Sequence, residues 1–72
     1  MTEFIGRGIL EKYCQVKKIN KPLLVRDVSK FLKLPKELAE NLIVVRQNKK
    51  LDDDENILNE DKIFIFFAAM GG

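Results

Sequence analysis

The segment Lys62-Ile63-Phe64-Ile65-Phe66-Phe67-Ala68-Ala69-Met70-Gly71-Gly72 decides how the rest of the sequence is read. Its apolar run, residues 63–70, falls far short of the roughly 20 residues that cross a bilayer. It is rich in β-branched and aromatic side chains and bounded by turn residues, so it reads as a strand over 62–69. Successive side chains of a strand point to opposite faces, which separates Ile63, Ile65 and Phe67 from Phe64, Phe66 and Ala68. Both sets are apolar. One is expected to face the core, and the other to remain partly exposed as a partner-binding surface.

Working back from this strand, residues 42–45 form a second β-branched run, followed by a turn at Asn48-Lys49 and a short return at Lys50 and Leu51. Ile57 and Leu58 suggest one more short strand, closed by a turn at 59–61. Upstream, Leu24, Val28, Phe31 and Leu32 recur at the spacing that lines one side of a helix, predicting a helix over 24–34. Asp27 suits its first turn, Lys30 and Lys33 suit its end, and Pro35 prevents continuation. Leu24 is a poor cap for its start. The first residues read as a strand ending near Gly6. Ile9, Leu10 and Tyr13 then read as one apolar face of a single helical turn, and residues 14–19 as a second strand. The expected fold is an α+β roll, a mixed sheet of four to five strands packed on one main helix.

The chain has 72 residues, 46% hydrophobic and 33% charged, with a net charge of +2, which suits one folded domain with a single core. It contains no His and one cysteine, Cys14. This excludes an internal disulfide, the Cys/His zinc spacings, the Ser/His/Asp triad and the Cys/His dyad. Cys14 reads as an inert packing residue. The absence of a signal-peptide pattern and the free thiol point to the cytoplasm, with no membrane partner. Residues 1–36 carry nine Lys or Arg against three acids, and residues 37–72 carry four against eight. The lysines are scattered and lack an aromatic-rich RNA-binding signature, so nucleic acid is not the expected partner. The acidic stretch 52–55 lacks the spaced ligands and glycine of a calcium loop and reads as a solvated loop. Arg7 and Arg46 are candidates for steering a negatively charged partner.

Gly71 and Gly72 carry no side chain to obstruct a narrow channel, and glycine adopts extended conformations closed to other residues. Such a tail, with Met70 before it, can thread into a partner's active site. With these residues the sequence resembles the MoaD/ThiS family of sulfur carriers, small ubiquitin-like β-grasp proteins. Four pieces carry the resemblance: Phe4-Ile5-Gly6-Arg7 with Leu10-Glu11; Leu24-Val25-Arg26-Asp27-Val28; residues 44–51 with Asn48 at the turn; and residues 58–72, with Asp61 before the apolar strand and its Gly-Gly end. Two positions depart from the family pattern: Glu60 and Lys49 stand where glycine is usual. Asn48 and Asn59 are the residues expected to supply any positive φ at those turns.

The resemblance implies a β-grasp domain over 1–70 and a reactive tail at 71–72. The Gly72 carboxylate would be adenylated by an E1-like activating enzyme that uses ATP, then converted to a thiocarboxylate with sulfur from a persulfide donor. The sulfur would go to molybdopterin, thiamine or tRNA thiolation. Phe64, Phe66 and Ala68, with Arg7 and Arg46, would contact the activating enzyme, and a large catalytic subunit of a synthase is a further partner the family allows. The chain itself would be a substrate and carrier, without a permanently bound cofactor. Two alternatives stay open: a modifier joined to lysines of other proteins through Gly72, and a ubiquitin-like binding module whose tail is never activated.

Overall fold

The computed structural model describes residues 1–68, so Met70, Gly71, Gly72 and the 71–72 tail lie outside the described residues. Among the described residues seven strands form: β1 (Thr2–Gly6), β2 (Gln15–Lys17), β3 (Leu23–Leu24), β4 (Leu42–Arg46), β5 (Lys49–Lys50), β6 (Asn56–Ile57) and β7 (Lys62–Phe67). Two short α-helices, α1 (Val28–Phe31) and α2 (Lys36–Ala39), lie between β3 and β4. The main sheet is mixed, with strand order β2-β1-β7-β4-β5, and β3 pairs with β6 in a separate two-stranded sheet. The described residues form the expected α+β arrangement, and the mixed sheet expected with four to five strands has five.

β1 and β7 run parallel at the sheet centre, with Phe4 opposite Ile63 and Gly6 opposite Ile65. Parallel neighbours cannot be joined by a tight hairpin, so the chain must travel the length of the sheet between them. Alternation sends Phe4, Val44, Ile63 and Ile65 to one face, where they meet Leu10, Val28, Leu32 and Ile57 in the core. Phe4, Leu10, Val28, Ile57, Ile63 and Ile65 are fully buried. Each such side chain contributes roughly 1.5–3 kcal/mol by leaving water. Thr2, also buried, donates its hydroxyl to the Leu58 carbonyl at 3.1 Å and so keeps its polar atom paired.

The single main helix expected over 24–34 does not form. Leu23 and Leu24 are instead a strand paired with Ile57 and Asn56, residues 25–27 make a 3-10 turn, and only four residues are α-helical. The apolar spacing reported packing correctly, because Val28 and Leu32 are buried. It could not report where the backbone bonds go. The Val25 amide donates to the Glu55 carbonyl at 3.0 Å and the Arg26 amide to the Asp53 carbonyl at 3.1 Å. The acidic loop thus supplies, from its main chain, the caps that Leu24 lacks. At the other end the helix stops before Pro35. Lys33 takes φ 59°, its amide donates to the Lys30 carbonyl, and the Leu34 amide donates to the Ser29 carbonyl at 2.9 Å. This is a Schellman closure with lysine where glycine is usual. Pro35 then precedes α2, which was not expected; its carbonyl accepts from Leu38 and Ala39.

Four smaller expectations also shift. Residues 8–13 form a 3-10 helix, Gly8–Tyr13, whose three-residue turn stacks positions 10 and 13. Leu10 is therefore buried while Ile9 stays 58% exposed, outside the apolar face assigned to it. The strand expected over 14–19 is only Gln15–Lys17. The β4-β5 hairpin turns on Gln47 and Asn48, at φ 53° and 63°, with Lys49 already paired to Arg46. Two positive φ values in a two-residue loop match the type I′ twist that hairpins favour. At the second turn the positive φ falls on Glu60, at 80°, and not on Asn59.

Candidate functional site

The strand that frames the proposed tail separates its two faces as the alternation requires. Ile63 and Ile65 are fully buried, whereas Phe64 is half-buried and Phe66 is exposed. Phe64 lies between Ile5 of β1 and Val45 of β4, and Phe66 lies opposite Ile43. The outer face of the sheet therefore carries a continuous apolar row, Ile5, Phe64, Val45, Ile43 and Phe66. Ile5, Ile43 and Val45 were not singled out from sequence. The signal was present, because residues 42–45 hold no polar side chain, but the strand partners were needed to gather them beside Phe64.

Two cations flank the Phe64 ring of this row, from opposite ends of the β1-β7 pair. The Arg7 guanidinium lies 5.4 Å from the Phe64 ring centroid and the Lys62 ammonium 5.8 Å from it. The negative ring face attracts both, with an exposed contact worth about 0.5–1 kcal/mol. Arg7 is held there because its own amide donates to the Ile65 carbonyl at 3.1 Å, extending the β1-β7 pairing by one residue. The structure thus brings Arg7, Phe64 and Phe66 together on one face.

Arg46 is elsewhere. It follows Val45 in β4 and so points to the opposite side of the sheet. One guanidinium nitrogen donates to the Asp61 carboxylate at 2.9 Å and to the Asn56 carbonyl at 3.0 Å. Its charge is engaged within the fold, across the turn that leads into β7.

Ala68, the last described residue, is half-buried, and its amide donates to the Asn41 carbonyl at 2.7 Å. This bond extends the β4-β7 pairing one residue beyond the Leu42–Phe67 pair. The residues named for threading and loading, Met70, Gly71 and Gly72, follow Ala68 in the sequence and lie outside the described residues.

No group of three His, Cys, Asp or Glu side chains among the described residues stands close enough to hold a metal ion. No helix among them is long and apolar enough to cross a membrane. The Cys14 thiol is exposed and donates to the Gly6 carbonyl at 3.7 Å. The outer face of β7 is thus an apolar row with Arg7 and Lys62 on either side of Phe64. No protein-family model and no curated protein matches the chain.

Proposed function

We propose that the roll is a ubiquitin-like β-grasp domain of the MoaD/ThiS type and that it acts as a sulfur carrier. The observation that carries the reading is the parallel pairing of β1 with β7 at the centre of the order β2-β1-β7-β4-β5. Such a sheet is compatible with a β-grasp, and Gly71 and Gly72 follow its central strand in the sequence. A Gly-Gly end, in a chain whose last described strand carries an apolar and cationic outer face, suits a protein that is handled by an enzyme.

In this reading the Gly72 carboxylate attacks the α-phosphorus of ATP in an E1-like adenylating enzyme, forming an acyl adenylate and releasing pyrophosphate. The terminal sulfur of a persulfide donor then displaces AMP. A thiol cleaves the resulting acyl disulfide and leaves the thiocarboxylate. The chain contributes position and no catalytic group: Phe66, the exposed member of the apolar row, and Arg7 dock the enzyme while the glycines enter its active site. Molybdopterin, thiamine and tRNA thiolation are the routes such sulfur serves, and a large synthase subunit is a partner of the carrier form.

The test is intact mass after incubation with the activating enzyme, ATP and a persulfide donor. Replacement of one oxygen by one sulfur supports the carrier. A ladder of conjugates in cell extract assigns the protein to the modifiers, and no ATP-dependent change in either assigns it to the non-covalent binding modules.

A further inference from the structure

The outer edge of the sheet opposite β5 has a use that does not depend on the fate of Gly72. Among the described residues β2 is an edge strand, bonded to β1 on one side only. An edge strand presents unpaired main-chain donors and acceptors along its free side and is a template for another strand. The chain running on from β2 walls a cavity of about 240 Å³, lined by Ile19, Pro22, Leu23 and the Phe31 ring, with Lys18 and Lys21 at its sides. The Lys17 ammonium sits 5.6 Å from the Phe31 centroid, at the junction of strand and cavity.

Charge says what fits there. Residues 12–36 hold eight Lys or Arg against the single Asp27, and Lys18 and Lys21 are exposed. None of Lys17, Lys18 and Lys21 forms an ion pair among the described residues. A nucleic acid strand would need open aromatic platforms for its bases. Phe31 is half-buried, packed on Phe4 at 6.0 Å and overlaid by Lys17, so it offers no such platform. An extended peptide uses all three features: the strand edge, the apolar hole and the cations.

We propose that the β2 edge and this cavity take up an extended acidic segment of another protein as an added strand, with an apolar side chain in the cavity and carboxylates facing Lys17, Lys18 and Lys21. The site lies on a different part of the molecule from the Phe64 and Phe66 face, so both can be occupied at once.

The experiment is an NMR titration of the isotopically labelled full chain with a short capped peptide alternating valine and glutamate. The expected result is amide shifts centred on Gln15, Val16, Lys17, Ile19 and Phe31, weakened by salt. A peptide with lysine in place of glutamate should bind at least about tenfold more weakly. Lys18→Glu with Lys21→Glu should weaken the acidic peptide about tenfold, whereas Lys49→Glu with Lys50→Glu, on the opposite edge, should leave it unchanged. Thermal melts of both variants report whether the fold is intact. Equal binding of the two peptides, shifts centred on Phe64 and Phe66, or binding of oligouridylate in preference to the acidic peptide would overturn the proposal.

Discussion

Arg46 and Asp61 are locked across the second turn by a 2.9 Å bond between guanidinium and carboxylate, and the same carboxylate oxygen accepts the Leu58 amide at 2.8 Å. Asp61 thus closes its own turn and fastens it to β4. Both side chains are about a quarter exposed, so water weakens the ion pair, but the backbone amide still needs its acceptor. Asp61→Ala is expected to cost about 1–2 kcal/mol in urea unfolding, and Asp61→Asn, which can still accept from Leu58, less than about 1 kcal/mol. Equal losses would show that the amide bond contributes nothing.

Glu60 sits in the left-handed region at φ 80°, where a side chain is strained and glycine is not. Its carboxylate meets the exposed Met1 ammonium, a contact too solvated to offset that strain. Glu60→Gly is therefore expected to raise stability by about 0.5–1 kcal/mol, read from the denaturation midpoint. A lower midpoint would mean that the turn is held by the carboxylate and not limited by its backbone.

Gly6 needs to be glycine for a different reason. A Cβ there would lie 1.8 Å from the Leu10 carbonyl oxygen, a backbone atom that cannot step aside. Gly6→Ala should cost about 3 kcal/mol or more, or prevent folding outright. Gly8 faces open space but has φ 61°, so Gly8→Ala should cost about 1 kcal/mol. Chemical denaturation of the pair separates crowding from backbone strain.

These positions show how far the residue pattern could be read. β4 and β7 were visible because their apolar side chains are contiguous and β-branched or aromatic. The two faces of β7 followed from alternation alone. The helix was misjudged because Leu24, Val28, Phe31 and Leu32 record which side chains are buried, while Leu24 pairs with Asn56, distant in sequence. Long-range pairing overrode local periodicity. The Gln47-Asn48 turn and the strained Glu60 were hidden for a similar reason: register fixes which residue takes the positive φ, and register is set by β4 and β7. Of the candidate site, Phe64, Phe66 and Arg7 could be gathered once the strand partners were known, whereas the bond from Arg46 to Asp61 depends on a fold contact that spacing does not encode.

Phe66 distinguishes docking from packing. It is 37% exposed on the outer face, while Ile65 beside it is fully buried. Phe66→Asp should change unfolding free energy by less than about 1 kcal/mol but slow adenylation by the activating enzyme about tenfold or more. Ile65→Ala should cost about 2–4 kcal/mol in stability. Unaltered adenylation kinetics in the Phe66 variant would remove this face from the docking surface.

The most direct measurement of the central claim is ATP–pyrophosphate exchange by the E1-like enzyme, with the chain ending at Gly72 and with a chain lacking Gly72 as substrates. The account predicts exchange with the first and none with the second, while both unfold at the same denaturant concentration because a terminal residue contributes little to packing. Equal exchange with the two chains would show that the carboxyl group of Gly72 is not the group that is activated.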